Sequence, residues 1–473
     1  MKYPQLILIA ALSAFAAGCG GGGGSDNAAV DPPDPTFDQG VLGFVHTISD
    51  APSLAIGLAS TSSGLTSLAV EYGQRVLQAR TVAGFDVQIA YNDGAGEAVT
   101  IFSRTGADNI KLFREDETLV WLTGTLANPT VVVVENEEFR FGVATGTSVA
   151  PQLQLFHGAS AGQIDIYLTA SGADLAAATP TATLSAGEHS AMLDITAGDN
   201  QQFRVTPAGD AATVLYDSGS VELAADTRTH VFVTDYFGPG DATITMRPVQ
   251  NLAELSFAEE STTTELRLTN AVADVTTIDA HIGEPAGAPV IAGVPYRGTG
   301  SAQDIAAANV AFTVTADGMD SDVVLDATSV NVQPGTFIMG FVGGLLTDAG
   351  SNEARNTSGL FVGTQIRPIA TGVQMQVFQG SNESGGSDFY ILPAGETTDA
   401  NDSTFTFALG GYGTGLFPTG TYDLYVTPTG SNTPSIGPIS QTLTSGNFYT
   451  VLISDAPGGG GPFEMQVIEE PIP

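Results

Sequence analysis

Short stretches in which apolar and polar residues alternate recur along the chain beyond its first forty residues. Phe203–Thr206 and Phe312–Thr315 both read aromatic, polar, aliphatic, polar, which is typical of a strand with one buried face. Gly209 and Gly318 follow these stretches at points where the chain would turn. The alternation, together with frequent turn residues, predicts an all-β protein.

The strand pattern repeats four times. Similar opening strands start at residues 43, 154, 267 and 376, at intervals of 111, 113 and 109 residues. Each is followed by a second strand, a mid-unit strand and a late strand, and the closing strand is least clear in the third copy. Units of this size, with many short strands, predict tandem antiparallel β-sandwich domains. The predicted domains are 42–150, 151–251, 252–372 and 373–473.

One segment tests this assignment, because its composition favours a helix. Residues 301–309 are rich in alanine, a strong helix former. They align, however, with residues 190–194, which precede the mid-unit strand of the second copy. The repeat therefore predicts strand and turn here.

The N-terminus predicts an exported, membrane-anchored protein. Lys2 precedes the apolar run Leu6–Leu12, which is long enough for a signal peptide and too short to span a bilayer. The segment Phe15–Cys19 resembles the lipobox of bacterial lipoproteins, with Ala16 where leucine is usual. The resemblance implies a signal peptide over 1–18 and a lipid on Cys19, the only cysteine in the chain. Gly20 follows the cysteine where inner-membrane lipoproteins often have aspartate, so the resemblance implies the outer membrane of a Gram-negative bacterium.

Residues 19–41 form the predicted tether. Gly20–Gly24 would be flexible and Asp31–Pro35 extended, and neither composition can build a packed core. A flexible chain of this length reaches on the order of 25 Å. The folded part would therefore lie close to the membrane without resting on it.

Charge narrows the possible partners. The chain has 14 basic and 51 acidic residues, a net charge of -37, although only 14% of its residues are charged. This balance argues against nucleic acid and against docking on anionic lipid. It fits basic partners, divalent cations or saline surroundings.

The opening motif carries a resemblance. His46, Asp50 and Pro52 lie in a His-x-x-Ser-Asp-Ala-Pro sequence, and His157 and Asp165 occupy related places in the second copy. This motif resembles that of DUF4397, a bacterial family of domains of unknown function found in exported and lipid-anchored proteins. The resemblance implies an immunoglobulin-like β fold and export, and it carries over no catalytic residue. Copies three and four have diverged at the histidine position, where they have Asn270 and Gln379.

Few residues of the sequence indicate a catalytic, metal-binding or ligand-binding role. The sequence has no hydrolase elbow, zinc-protease or phosphate-loop motif, so we expect no enzyme. The five motif residues are predicted to be structural, with each histidine bonded to its adjacent turn, because spacing supplies no third metal ligand. Trp121 is predicted to be a core residue. Asp235, Tyr236 and Phe237 follow a strand and form the predicted binding loop.

Calcium is the better metal candidate, because carboxylates and loop carbonyls suit it. The weak candidate ligands are in two acidic turns, and neither turn fits an EF-hand loop. The prediction is solvated turns, and no cofactor. The candidates are Asp317, Asp320, Asp322, Asp399, Asn401 and Asp402.

Together these features predict a lipid-anchored envelope protein that acts as a binding, adhesion or structural module. Its predicted partners are the membrane, through its lipid, and an envelope protein or glycan. The alternative is an envelope-associated hydrolase or an accessory subunit of an envelope complex. Repetition favours the first, because arrays of similar domains provide reach and avidity.

Overall fold

The computed structural model describes residues 39–472, except 61–62, 94–96, 115, 137–149, 251–252, 255–261, 307–308, 317 and 348–355. The predicted signal peptide, Cys19 and nearly all of the predicted tether lie outside the described residues.

The strands fall into four successive sets, here called repeats 1 to 4. Repeat 1 contains β1 (Gln39–Ile48), β2 (Leu54–Ser60), β3 (Ser63–Val70), β4 (Arg75–Thr81), β5 (Ala83–Asn92), β6 (Ala98–Arg104), β7 (Ile110–Leu112), β8 (Glu117–Thr125) and β9 (Asn128–Asn136). Repeat 2 contains β10 (Gln152–His157), β11 (Ile164–Ala170), β12 (Ala182–Leu184), β13 (Leu193–Asp194), β14 (Gly198–Pro207), β15 (Tyr216–Asp217), β16 (Val221–Leu223), β17 (Arg228–Asp235), β18 (Ile244–Gln250) and β19 (Ala253–Glu254).

Repeats 3 and 4 have eight strands each among the described residues. Repeat 3 contains β20 (Thr264–Val272), β21 (Thr277–Ile282), β22 (Ile291–Pro295), β23 (Gln303–Ile305), β24 (Asn309–Ala316), β25 (Met319–Asn331), β26 (Phe337–Leu345) and β27 (Asn356–Thr364). Repeat 4 contains β28 (Val373–Gln379), β29 (Ser387–Pro393), β30 (Phe405–Phe407), β31 (Tyr412–Phe417), β32 (Gly420–Pro428), β33 (Ile436–Leu443), β34 (Phe448–Ser454) and β35 (Glu464–Glu470). The alanine-rich segment thus contributes the strand β23.

Helices are few and short. Among the described residues there are three single-turn 3-10 helices, at Gly106–Asp108, Leu175–Ala177 and Thr398–Ala400. No helix in the described part of the chain has the length and apolar character needed to cross a bilayer. The prediction of an all-β protein built from tandem sandwiches is confirmed.

Each repeat has the same topology. In repeat 1 the first sheet has the order β4-β1-β8-β9, and the second has the order β3-β2-β5-β6 with β7 added to β5. The corresponding first sheets are β13-β10-β17-β18-β19, β23-β20-β26-β27 and β31-β28-β34-β35. The corresponding second sheets are β12-β11-β14-β15, with β16 added to β14, then β22-β21-β24-β25 and β30-β29-β32-β33.

The first sheet of each repeat is mixed, which corrects the expectation of purely antiparallel sheets. The opening strand runs parallel to the late strand in all four repeats, as in the pairing of β1 with β8 and of β28 with β34. The chain completes the whole second sheet between these two strands. Such a long connection allows parallel neighbours, which a tight hairpin cannot join.

Each repeat buries a core between its two sheets. In repeat 1 this core includes Phe44, Ile56, Val87 and Val120, and the other three repeats have equivalent clusters. Each sandwich therefore has its own hydrophobic interior.

A second kind of core joins the repeats in pairs. The first sheets of repeats 1 and 2 pack face to face, with Trp121 of repeat 1 edge-on against Phe156 of repeat 2 at 5.3 Å. Phe156 stacks in turn on Phe232 of its own sheet at 4.4 Å. The first sheets of repeats 3 and 4 pack in the same way through Phe341 and Phe378, whose rings stack at 5.3 Å. We call residues 39–250 the first module, residues 262–472 the second module, and each face-to-face contact a seam.

Candidate functional site

The motif histidine holds the loop after the opening strand. His46 is fully buried, its Nδ1 accepts the Ile48 backbone N–H at 3.2 Å, and its Nε2 donates to the Pro52 carbonyl at 3.1 Å. These bonds require a neutral ring. Burial, with a smaller contribution from the positive charge of Arg367, lowers the pKa of His46 from 6.5 to about 3, although the bond to Pro52 opposes the shift.

The same loop in the other repeats is held by other side chains. Asn270 accepts the Val272 N–H and donates to the Val294 carbonyl, at 2.9 and 3.0 Å. Gln379 accepts the Ser381 N–H at 3.0 Å and donates to Ser387. His157 donates from Nε2 to the Gly162 carbonyl at 2.8 Å. All four side chains are fully buried.

Carboxylates tie that loop to the end of the late strand. In repeats 1 and 3 the carboxylate comes from the loop, and Asp50 accepts the Leu126 N–H at 2.7 Å. In repeats 2 and 4 it comes from the late strand, where Asp235 accepts the Ser160 N–H at 2.7 Å and Asp455 accepts the Asn382 N–H at 2.9 Å. Repeats therefore alternate, so that repeat 3 resembles repeat 1 and repeat 4 resembles repeat 2.

Asp165 has a separate position, on the second strand. One of its oxygens accepts the Thr183 hydroxyl and the other accepts the Gly209 N–H at 2.8 Å, so it links strand β12 to the turn after β14. Asp279 and Asp388 make equivalent pairs of bonds in repeats 3 and 4.

The predicted binding loop is part of a junction between repeats. The Phe237 ring packs edge-on against Tyr72 of repeat 1 at 5.6 Å. Gly335 of repeat 3 lies next to Tyr236, since a Cβ atom at Gly335 would be only 2.9 Å from the Tyr236 hydroxyl oxygen. The loop is therefore also close to the second module. Tyr236 and Phe237 are half-buried and Asp235 is buried. These contacts occupy the loop within the molecule.

The acidic turns proposed for calcium are described only in part. Asp317 and the side chain of Asp320 lie outside the described residues, and Asp322 is half-buried in β25. Asp399 and Asp402 are exposed around the last 3-10 helix, and the Asn401 amide donates to the Thr397 carbonyl at 2.9 Å. No set of three His, Cys, Asp or Glu residues in the described ranges is arranged to hold a metal ion.

Sequence reasoning missed a buried polar cluster at the first seam. Glu117 is 1% exposed, and its Oε2 lies 3.1 Å from His230 Nε2, 3.2 Å from Asn136 Nδ2 and 3.9 Å from Arg228 Nη1. Burial alone would raise the pKa of Glu117, but His230, Arg228 and Asn136 hold it below its usual value. At the second seam Glu470 accepts from Arg267 at 3.2 Å and from Thr450 at 2.6 Å.

A second missed feature joins the two modules. Residues 365–372, between β27 and β28, form a strap that lies against repeat 1. The Arg367 Nη1 donates to the Ser49 carbonyl at 3.0 Å, and the Ala370 N–H donates to the Asp50 carbonyl at 2.8 Å. The guanidinium lies 5.0 Å from the ring centre of Tyr72. The strap therefore docks on the loop that His46 holds.

Tyr72 is the centre of this junction. Its hydroxyl donates to the Asp235 carbonyl at 2.9 Å, Arg247 lies 5.9 Å from its ring on the repeat 2 side, and His46 contacts it edge-on at 6.0 Å. Burial raises the pKa of Tyr72, so its hydroxyl remains a donor at neutral pH. In the second module Tyr296 donates to the Asp455 carbonyl at 2.6 Å and carries Arg297 over its ring.

A small cleft of about 220 Å³ opens beside the first seam. Hydroxyl groups and one carboxylate contribute to its lining, among them Ser49, Thr123, Ser160 and Asp235. The Ser160 hydroxyl donates to Asp235 and that of Thr123 to the Gly158 carbonyl, so these hydroxyls bond within the protein.

Comparison with known proteins gives no assignment. No protein family matches the chain, and no curated protein does. Among solved structures, the Bacillus anthracis TIE protein aligns with 89% of this chain and 75% of its own, at 9% identity and a TM-score of 0.15. A likeness this low carries no argument about function.

Proposed function

We propose that this chain is an exported lipoprotein, anchored through Cys19, in which four related sandwiches form a scaffold for binding or adhesion at the cell envelope. The observation that supports this best is that the conspicuous polar residues of the chain have structural roles. His46, Asp165 and Asp235 hold loops, strands and repeat contacts together, and equivalent residues do so in other repeats. These conspicuous polar residues thus stabilise the fold of a scaffold.

The scaffold is made stiff by its seams. Two sandwiches joined only by a linker would move freely, whereas here aromatic rings and buried ion pairs join them across whole sheets. A stiff array of this kind suits display of loops or spacing of partners at a fixed distance. Its acidic surface, in a chain of net charge -37, favours a basic or neutral partner such as an envelope protein or a glycan.

The resemblance of the opening motif to DUF4397 is part of this proposal. The motif positions share a role, since His46, Asn270 and Gln379 each accept the N–H two residues later. The proposed location is the outer membrane of a Gram-negative bacterium.

Cell fractionation and capture test the proposal. The native chain should be found with the outer membrane and carry the mass of attached lipid, and Cys19→Ala should move it to the soluble or precursor pool. An immobilised chain from residue 20 onward should retain the same envelope protein or glycan in repeated captures. If Cys19→Ala stays in the membrane with unchanged mass, the anchor is wrong. If the chain degrades an envelope polymer and retains no component, the scaffold role is wrong.

A further inference from the structure

The junction between the modules depends on one short loop of repeat 1. The strap bonds to the carbonyls of Ser49 and Asp50. Both carbonyls lie between Ile48 and Pro52, the residues to which His46 is bonded. His46 is therefore a positioning residue, because it fixes the acceptors that receive the strap.

The strap brings a buried positive charge to this loop. Arg367 is 5% exposed, and no ion pair among the described residues involves it. Its guanidinium instead uses the Ser49 carbonyl and the face of Tyr72. A further positive charge beside it would oppose docking, since charge is poorly screened at buried sites.

Protonation of His46 would supply that charge. A second proton would occupy Nδ1, which accepts the Ile48 N–H in the neutral ring, so the loop would lose one of its two bonds. We propose that the strap and the 48–52 loop form an acid-sensitive latch, in which protonation of His46 loosens the loop, repels Arg367 and lets the two modules move apart.

The other charged groups at this junction do not remove the effect. Arg247 of repeat 2 adds a second cation on the ring of Tyr72. The nearby acids are Asp50, Glu71 and Asp235, and two of them already accept backbone N–H groups, from Leu126 and Ser160. The low pKa of His46, about 3, agrees with this arrangement. If unlatching restores its usual value of 6.5, each pH unit below 6.5 favours the unlatched state by up to about tenfold.

The second module provides an internal comparison. Asn270 and Gln379 make equivalent bonds with amides that do not titrate. In repeat 3 the Ala273 carbonyl, near the place of Ser49, accepts the Gly458 N–H of repeat 4 within the same module. The loop that docks the other module is thus held by a titratable side chain, whereas amides hold the equivalent loops of the second module, where the docking is internal. His157, the other titratable residue at this position, holds a loop that contacts Thr123 within the first module.

Small-angle X-ray scattering on the chain from residue 20 onward tests the latch. Between pH 7.5 and 4.5 the wild-type chain should increase in maximum dimension while its far-ultraviolet circular dichroism stays unchanged. His46→Asn should stay compact over this range, because an amide can make both bonds. His281→Asn, a buried histidine of the second module, should open as the wild type does. Arg367→Met should be extended already at pH 7.5.

Two outcomes would overturn the latch. One is a wild-type chain whose dimension does not change above pH 4.5. The other is a His46→Asn variant that opens at the same pH as the wild type. Hydrogen exchange on the wild-type chain tests the latch without a variant, so its result does not depend on whether a variant folds. The Ala370 amide should lose protection on acidification before the amides of β28 do, and simultaneous loss would count against the latch.

Discussion

At the residue scale, His46 takes its hydrogen bonds from its own turn and meets the positive charge of Arg367, which comes from a distant part of the chain. The sequence predicted that His46 bonds to its adjacent turn and that Asn270 and Gln379 occupy the same place, and the bonds are now visible. It could not predict that Arg367 lies beside His46, because the two are more than three hundred residues apart in the chain. Local hydrogen bonds follow from local sequence, whereas the charge that a buried group meets depends on the whole fold.

His46 should make the first module acid-sensitive. Its pKa is about 3 in the folded chain and 6.5 when exposed, so the unfolded chain takes up the proton first as the pH falls. The contribution of His46 to stability is complete above pH 6.5 and declines towards pH 3. At pH 5 the loss is about 2 kcal/mol.

Urea unfolding at pH 7.5 and pH 5 measures this effect. His46→Asn should show a smaller loss of stability between the two pH values than the wild type. His46→Ala should cost about 1–3 kcal/mol at pH 7.5 because its loop bonds are gone, and less at pH 5, where the wild type has lost much of the same contribution. Equal pH dependence in the wild type and His46→Asn would show that another group titrates.

At the element scale, the late strands differ from alternating strands such as β14 and β24, because they contain continuous apolar runs. All residues of β17, β26 and β34 are buried, because each strand faces a sandwich core on one side and a seam on the other. Strands buried on both faces read as continuous apolar runs, such as Leu119–Leu122 and Phe337–Met339. The sequence predicted the sandwiches through alternation, and these runs indicate the pairing of repeats. Trp121 is buried as expected, but at a seam.

The pairing predicts that the module is the unit that unfolds. Residues 39–250 should unfold in one cooperative transition, and residues 151–250 alone should be less stable because Phe156 and Phe232 lose their cover. The only tryptophan, Trp121, lies at this seam, so its fluorescence reports the pairing directly. Calorimetry and fluorescence should give coincident transitions for 39–250. A fragment 151–250 that melts at the temperature of the module would contradict a coupled unit.

The buried charges at the first seam should also matter. Glu117→Leu leaves Arg228 and His230 without their carboxylate, and breaking a buried ion pair costs about 3–5 kcal/mol. Because the pKa of Glu117 is held low, its contribution is present at neutral pH and is lost as the pH falls below the usual value of 4.5. Urea unfolding of 39–250 measures the loss. Glu135→Leu, on the neighbouring strand, is the control, and an equal effect there would show that seam charge is unimportant.

At the scale of the whole molecule, several of the few basic residues of this very acidic chain lie at contacts between repeats or between modules. The chain has 14 basic residues, and several of those that the structure describes contact a neighbouring repeat or module, among them Arg228, Arg247, Arg267, Arg297 and Arg367. Composition gave the excess of acid and predicted an acidic surface. It could not show where the arginines lie, because a pairing such as Arg367 with Ser49 exists only after four repeats have folded and met.

This arrangement predicts an unusual response to salt. The two modules belong to a chain of net charge -37, so their surfaces repel each other, and this repulsion is screened over about 10 Å at 0.1 M salt and about 30 Å at 0.01 M. The strap opposes this repulsion, and its Arg367 is buried and therefore much less affected by salt. Added salt should then hold the modules together more firmly, whereas an exposed salt bridge would weaken.

Scattering at pH 7.5 should show a longer molecule at 0.01 M than at 0.15 M sodium chloride, with unchanged circular dichroism. Arg367→Met should be extended at 0.01 M and should recover less on adding salt, because screening removes the repulsion without restoring the contact. A wild-type chain that lengthens as salt rises would show that exposed ion pairs, and not the buried strap, hold the modules.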